Sequence, residues 1–102
     1  MIDKMEKLNS GIILERIKKE KKKLKEKGVK KIGLFGSYAK DKQRQKSDVD
    51  FLIEFDKVDF DKYIFILNLL KKMFNRKVDL VIETDLKPEL NYVKREAKYV
   101  QI

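Results

Sequence analysis

The stretch Gly33–Phe55, GLFGSYAKDKQRQKSDVDFLIEF, limits the possible folds more than any other part of the chain. Ile32-Gly33-Leu34-Phe35 reads as a buried strand that stops at Gly36-Ser37. Ser47-Asp48-Val49-Asp50 opens a second strand ending at Phe55, and a basic segment, Lys40 to Lys46, lies between them. Strand side chains alternate between faces, so Asp48 and Asp50 point one way and Val49 turns toward a core. Two adjacent carboxylates repel each other. A divalent cation relieves that repulsion, because carboxylate oxygens are the ligands magnesium prefers. Gly36 lets backbone approach a ligand closely, and Ser37 is a good N-cap for a helix whose free N–H groups would face an anion. Alone, Gly36-Ser37 reads as an ordinary strand-to-helix turn. A phosphate cradle, several cations and a carboxylate pair together suit a nucleoside triphosphate with magnesium.

Composition narrows the chemistry. The 102 residues are expected to fit a single domain, residues 1–102, with a real core but little room for a separate substrate domain. With no cysteine there is no disulfide, thiolate nucleophile or zinc–thiolate site, and with no histidine the Ser-His and Cys-His mechanisms are excluded. Acid–base and metal chemistry therefore rests on Asp and Glu. A charged fraction of 42%, rich in Lys and Glu with one proline, leans toward a heat-adapted source. No signal peptide or spanning segment is evident, since Asn68 interrupts the longest apolar run, so a cytoplasmic protein is expected.

Along the chain, Met1 to Leu8 is expected to fray. Ser10 is the expected N-cap of a helix from Gly11 to Lys27, with Ile13, Ile17 and Leu24 on one face and Gly28 as its stop. Lys18 to Lys31 holds nine lysines and two glutamates, and so most of the net charge of +9. Such a run is ordinarily a solvated face. Without interleaved aromatics it does not make nucleic acid the main ligand.

Strands are expected at Val29–Phe35, Asp48–Phe55 and Val78–Ile82, with a short helix from Ser37 to about Lys40 and a loop from Asp41 to Ser47. Asp59 to Asn75 reads as the longest apolar helix. Phe60, Tyr63, Ile64, Leu67, Leu70 and Phe74 make one stripe and Phe65, Ile66, Leu69 and Met73 a second, which is either covered or a surface for a homo-oligomer or partner. Asp79 inside a short apolar strand is costly unless paired or metal-bound, or else it faces water at an edge. Glu83 is less well placed. Pro88 fits the first turn of a last helix, Glu89 to about Val100. The expected architecture is α/β (α+β), a small mixed sheet of at least three strands with helices against it.

Gly36-Ser37-Tyr38-Ala39-Lys40 followed by Ser47-Asp48-Val49-Asp50 resembles the DNA polymerase β-like nucleotidyltransferase superfamily, whose pattern is Gly-Ser, a gap, Asp-x-Asp and a later third acid. It is most similar to the minimal nucleotidyltransferase (MNT) branch, over roughly Lys30 to the C-terminus. Where that branch carries Arg-Gly, this chain has Lys40-Asp41, and lysine meets phosphate as a point charge rather than a planar fork. The resemblance implies that Asp48, Asp50 and Asp79 are the catalytic and metal-binding acids for two Mg2+ ions, with Asp79 also helping to deprotonate the acceptor. Gly36, Ser37, Lys40 and Ser47 would be the nucleotide-binding set, Ser47 shaping the turn more than touching substrate, with Lys42 or Arg44 beside the pyrophosphate.

Members of this branch often act as antitoxins to HEPN-domain toxins. The implied function is transfer of AMP from ATP to a hydroxyl, a tyrosine's, on a partner HEPN toxin. Two other functions fit the same residues: a binding-only antitoxin, and the catalytic subunit of a small-molecule nucleotidyltransferase.

Overall fold

The computed structural model describes residues 7–44 and 46–102. In chain order the helices are α1 (Ser10–Lys19), α2 (Lys21–Glu26), α3 (Gly36–Ala39), α4 (Phe60–Phe74) and α5 (Tyr92–Glu96). The strands are β1 (Val29–Phe35), β2 (Val49–Phe55), β3 (Val78–Ile82) and β4 (Lys98–Gln101), and 3-10 turns span Glu83–Asp85 and Pro88–Leu90. The strands form one mixed sheet in the order β3-β2-β1-β4. The β1–β2 and β1–β4 pairs are antiparallel and the β2–β3 pair is parallel.

One face of the sheet builds the core. Ile32 and Leu34 of β1 pair with Ile53 and Phe51 of β2, and all four are buried. Phe51 stacks on Phe74 of α4 at 6.0 Å, which sets α4 on this face. Ile13, Ile17 and Leu24 from α1 and α2 join the same core. The other face carries Gly33, Asp50, Leu52 and Glu54. Glu83–Ala97 crosses this face from β3 at one edge of the sheet to β4 at the other.

Several boundaries differ from the sequence reading. The first helix is broken at Glu20, amid lysines spaced four apart (Lys18–Lys22, Lys19–Lys23), whose like charges weaken a helix. Its N-cap is Asn9, not Ser10, and the Asn9 side chain accepts from the Ile12 N–H at 2.9 Å. Leu8 is buried rather than frayed, while residues 1–6 of that stretch lie outside the described residues.

The two stripes of α4 divide differently as well. Ile66, Leu70 and Phe74 are buried, and Tyr63, Leu67, Leu69 and Met73 pack against the core. Phe60 is 75% exposed. Of the four residues in the proposed contact stripe, Phe65 alone is exposed, at 40%, and its ring lies under the Lys27 ammonium at 4.2 Å.

The largest departure is the C-terminus. The helix expected from Glu89 to Val100 gives way to a 3-10 turn, the five-residue α5 and the strand β4. Without β4, the inner strand β1 would have an unpaired edge. Tyr99 fits that edge because its partner is Gly33, where a Cβ would fall 2.7 Å from two Tyr99 ring atoms. Among the described residues no helix is long and apolar enough to cross a membrane.

Candidate active site

Three elements deliver the predicted site to one end of the sheet. The end of β1 continues directly into α3, so Gly36 begins the helix where Phe35 leaves the strand. Phe35 pairs with Asp50 on β2, and Asp50 pairs in turn with Asp79 on β3. Neighbouring strands lie about 4.8 Å apart and paired residues share a face, so Asp50 and Asp79 stand side by side. Asp48 lies two residues before Asp50, just ahead of β2, and is exposed, as is Asp79.

The backbone at Gly36 is built against Asp50. Its φ of +76° is a left-handed conformation that side chains resist, and a Cβ there would run into Asp50 Oδ2, with Asp50 Cγ at 3.1 Å. α3 is anchored by Tyr38 and Ala39, both buried. The chain then folds back on α3, with the Lys42 N–H donating to the Ser37 carbonyl at 2.9 Å and Asp41 taking a φ of 56°.

The electrostatics follow from the geometry. Asp50 is pushed up to about 6 from an ordinary 3.8, first by burial and then by the negative charges of Asp79 and Asp48. Tyr63 of α4 is also raised, by burial and by the negative charge of Asp79. Its hydroxyl donates to the Leu80 carbonyl at 2.5 Å.

The donor set is oxygen only and chemically suits a hard divalent cation. The Asp50 carboxylate itself occupies the space a Gly36 side chain would fill, so the acid lies directly against the turn. Among the described residues no three acids are drawn together tightly enough to close around one ion.

Two members of the nucleotide-binding set have other partners. Lys40 points its ammonium at Glu96 of α5, 3.4 Å away. Ser47 shapes its loop, its hydroxyl accepting from the Arg44 N–H at 2.7 Å while its own N–H donates to the Arg44 carbonyl. Glu83 is held away from the acids, accepting from the Tyr99 hydroxyl at 2.8 Å and pairing with Lys31 at 3.7 Å. Tyr63 and Glu96 are the neighbours that sequence reasoning missed. Tyr63 reads as one more apolar-stripe residue, and nothing local in the sequence links Glu96 to Lys40.

A family model described as a nucleotidyltransferase domain matches residues 14–100. This chain belongs to the nucleotidyltransferase family. The nucleotidyltransferase is 41% identical over 78 residues to a Methanocaldococcus jannaschii relative carrying the name protein adenylyltransferase MJ1379, covering 72% of this chain and 78% of the relative. Protein adenylyltransferase MntA of Thermococcus cleftensis is 39% identical over 83 residues, 78% of this chain and 84% of its own.

Among solved structures, a minimal nucleotidyltransferase superposes with a TM-score of 0.76 at 26% identity, covering 89% of this chain and 95% of that one. The same fold recurs in two complexes. One is a toxin–antitoxin with AMP-PNP (TM-score 0.66, 24% identity, covering 80% and 69%). The other is a tri-AMPylated Shewanella oneidensis HEPN toxin bound to its MNT antitoxin (TM-score 0.60, 22% identity, covering 85% and 70%).

Proposed function

We infer that this nucleotidyltransferase moves AMP from ATP to a hydroxyl, a tyrosine's, on a HEPN-domain toxin and so acts as its antitoxin. The observation that carries the mechanism is the row Gly36, Asp50, Asp79, in which a turn without a side chain abuts one acid and that acid is paired with the next. The curated relatives named as protein adenylyltransferases support the reaction, and the solved HEPN–MNT complex supports the partner.

Asp48, Asp50 and Asp79 would hold the magnesium ions. When bound, the metal neutralises triphosphate charge and lowers the pKa of the attacking hydroxyl. The protein's own groups do the positioning. The Gly36-Ser37 turn holds the β- and γ-phosphates through backbone N–H groups and the Ser37 hydroxyl. Lys40 adds positive charge beside them. Asp79 accepts the acceptor's proton as the oxygen–phosphorus bond forms and the bond from the α-phosphorus to pyrophosphate breaks. Such a transfer needs chiefly alignment and charge stabilisation.

The test is the intact mass of the HEPN-domain protein from the same genome after incubation with this chain, ATP and magnesium. A gain of one or more AMP groups is expected, abolished by Asp48→Asn plus Asp50→Asn in a variant that keeps its circular dichroism spectrum. Full transfer by the double variant overturns the assignment of these acids. A partner bound tightly but left unmodified would make the chain a binding-only antitoxin.

A further inference from the structure

An in-line transfer fixes the direction from which the acceptor arrives. The attacking and leaving oxygens lie on opposite sides of the α-phosphorus. The phosphate-holding turn lies at the end of β1, and Asp79 lies two strands away on β3, across β2. The acceptor must therefore approach over β3, which is the edge of the sheet.

A groove of about 410 Å³ runs along that edge, between β3 and the start of α4. This volume lies within the range of binding pockets, roughly 300–1,000 Å³. Its lining is mostly apolar: Val58, Phe60, Tyr63, Leu80 and Ile82, with Asp85 at one side. Phe60 is 75% exposed and Val58 56% exposed, an aromatic and a β-branched residue that form an uncovered apolar pair among the described residues. Tyr63 ties the groove to the strand that carries Asp79, since its ring lines the groove and its hydroxyl donates to the carbonyl of Leu80, the residue after Asp79.

The rim has a sign of its own. From Asp56 to Asp61, the stretch that carries the lining residues Val58 and Phe60, there are three aspartates against one lysine, all exposed, and Asp85 also lines the groove, on a chain whose net charge is +9.

We propose that this groove is the docking surface for the acceptor protein, taking a basic, partly apolar segment that passes around the β3 edge and brings its hydroxyl to Asp79 on the opposite face of the sheet. Phe60 is the aromatic anchor and the aspartate rim attracts lysine or arginine flanking the acceptor. The inference rests on the transfer reaction proposed above and names the surface that selects its substrate.

The experiment compares wild type with Val58→Ala plus Phe60→Ala, two exposed positions whose truncation leaves the core intact. The probe is the HEPN-domain protein from the same genome, with complex affinity and initial rates of AMP transfer measured against its concentration. The double variant should weaken the complex and raise the KM for the partner at least ten-fold, with the affinity for AMP-PNP and magnesium within two-fold of wild type. Unchanged partner affinity overturns the proposal, as does a wild-type chain that does not bind the partner. A wild-type dimer in sedimentation that the double variant dissolves also overturns it, by assigning the groove to a second copy. If wild type binds the partner but transfers no AMP, the transfer reaction fails, while the affinity comparison still decides the groove.

Discussion

The missing side chain of Gly36 marks the position of the Asp50 carboxylate: a Cβ on that glycine would occupy the space of Asp50 Oδ2. Gly36→Ala therefore carries two costs. The left-handed backbone disfavours any Cβ by about 1–2 kcal/mol, and Asp50 has to rotate away. The variant should lose about 1–3 kcal/mol in urea unfolding, and its AMP transfer should fall at least 100-fold. Transfer within two-fold of wild type would show that the turn and the acid do not work as a unit.

Asp50 also makes stability depend on pH. Its folded-state pKa is raised to about 6 from 3.8, so between those values the folded state holds a proton that the unfolded state has released. Stability from this group is greatest below pH 4, declines as the pH rises to about 6, and is flat beyond. Asp50→Asn removes the effect. Measured without metal, the variant should be more stable than wild type by about 1 kcal/mol at pH 7.5, a figure reduced for solvent screening of a partly exposed group, and equal at pH 4. Magnesium at pH 7.5 should then stabilise wild type and leave the variant unmoved.

The placement of the candidate residues Gly36, Asp50 and Asp79 was legible because its determinants are local. The Asp48-Val49-Asp50 alternation, the Gly36-Ser37 break after an apolar run and the lone acid in Val78–Ile82 each carry their meaning within a few residues, and the structure sets Gly36, Asp50 and Asp79 in a row. The C-terminal strand was not legible in the same way. Tyr99, Val100 and Gln101 do alternate, but Pro88 and the spacing of Leu90, Val93 and Ala97 suggested a helix, and the outcome was decided by the open edge of β1 some 65 residues earlier. The faces of α4 failed for a related reason. Two stripes fit the periodicity, and the seating of α4 on the core face, where Phe74 stacks on Phe51, turns Ile66 inward.

Gly33 tests the β4 assignment. Tyr99 packs across it, and the Tyr99 hydroxyl reaches Glu83, which pairs with Lys31. A methyl group at Gly33 would lift the ring and break that chain of contacts. Gly33→Ala should cost about 2–3 kcal/mol, as overpacking does, whereas Tyr99→Phe, which keeps the ring and removes one hydrogen bond, should cost about 1 kcal/mol. Equal losses in the two variants would mean that the ring is not seated on the glycine.

Asn9 and Ser10 separate two placements of the first cap. The Asn9 side chain accepts from the Ile12 N–H, and Ser10 lies inside the helix with its hydroxyl near Lys98, 3.3 Å away. Asn9→Ala should lower stability by about 1 kcal/mol and Ser10→Ala by less than half of that, as read by chemical unfolding. The reverse order would return the cap to Ser10.

Lys40 is the sharpest test of how the phosphates are held. In the free chain its ammonium faces Glu96 at 3.4 Å, and both side chains are about half exposed, so the pair itself contributes little to stability. Glu96 nevertheless competes with any phosphate for the same charge. Glu96→Gln should leave unfolding unchanged within about 0.5 kcal/mol and tighten AMP-PNP binding two- to five-fold at low salt, an effect that fades as ionic strength rises. Lys40→Gln should weaken binding by a similar factor. In the Lys40→Gln background the Glu96 substitution should do nothing further, because its effect acts through that ammonium. If Glu96→Gln tightens binding equally with and without Lys40, the carboxylate acts on the nucleotide directly, and Lys40 has no place in the phosphate site.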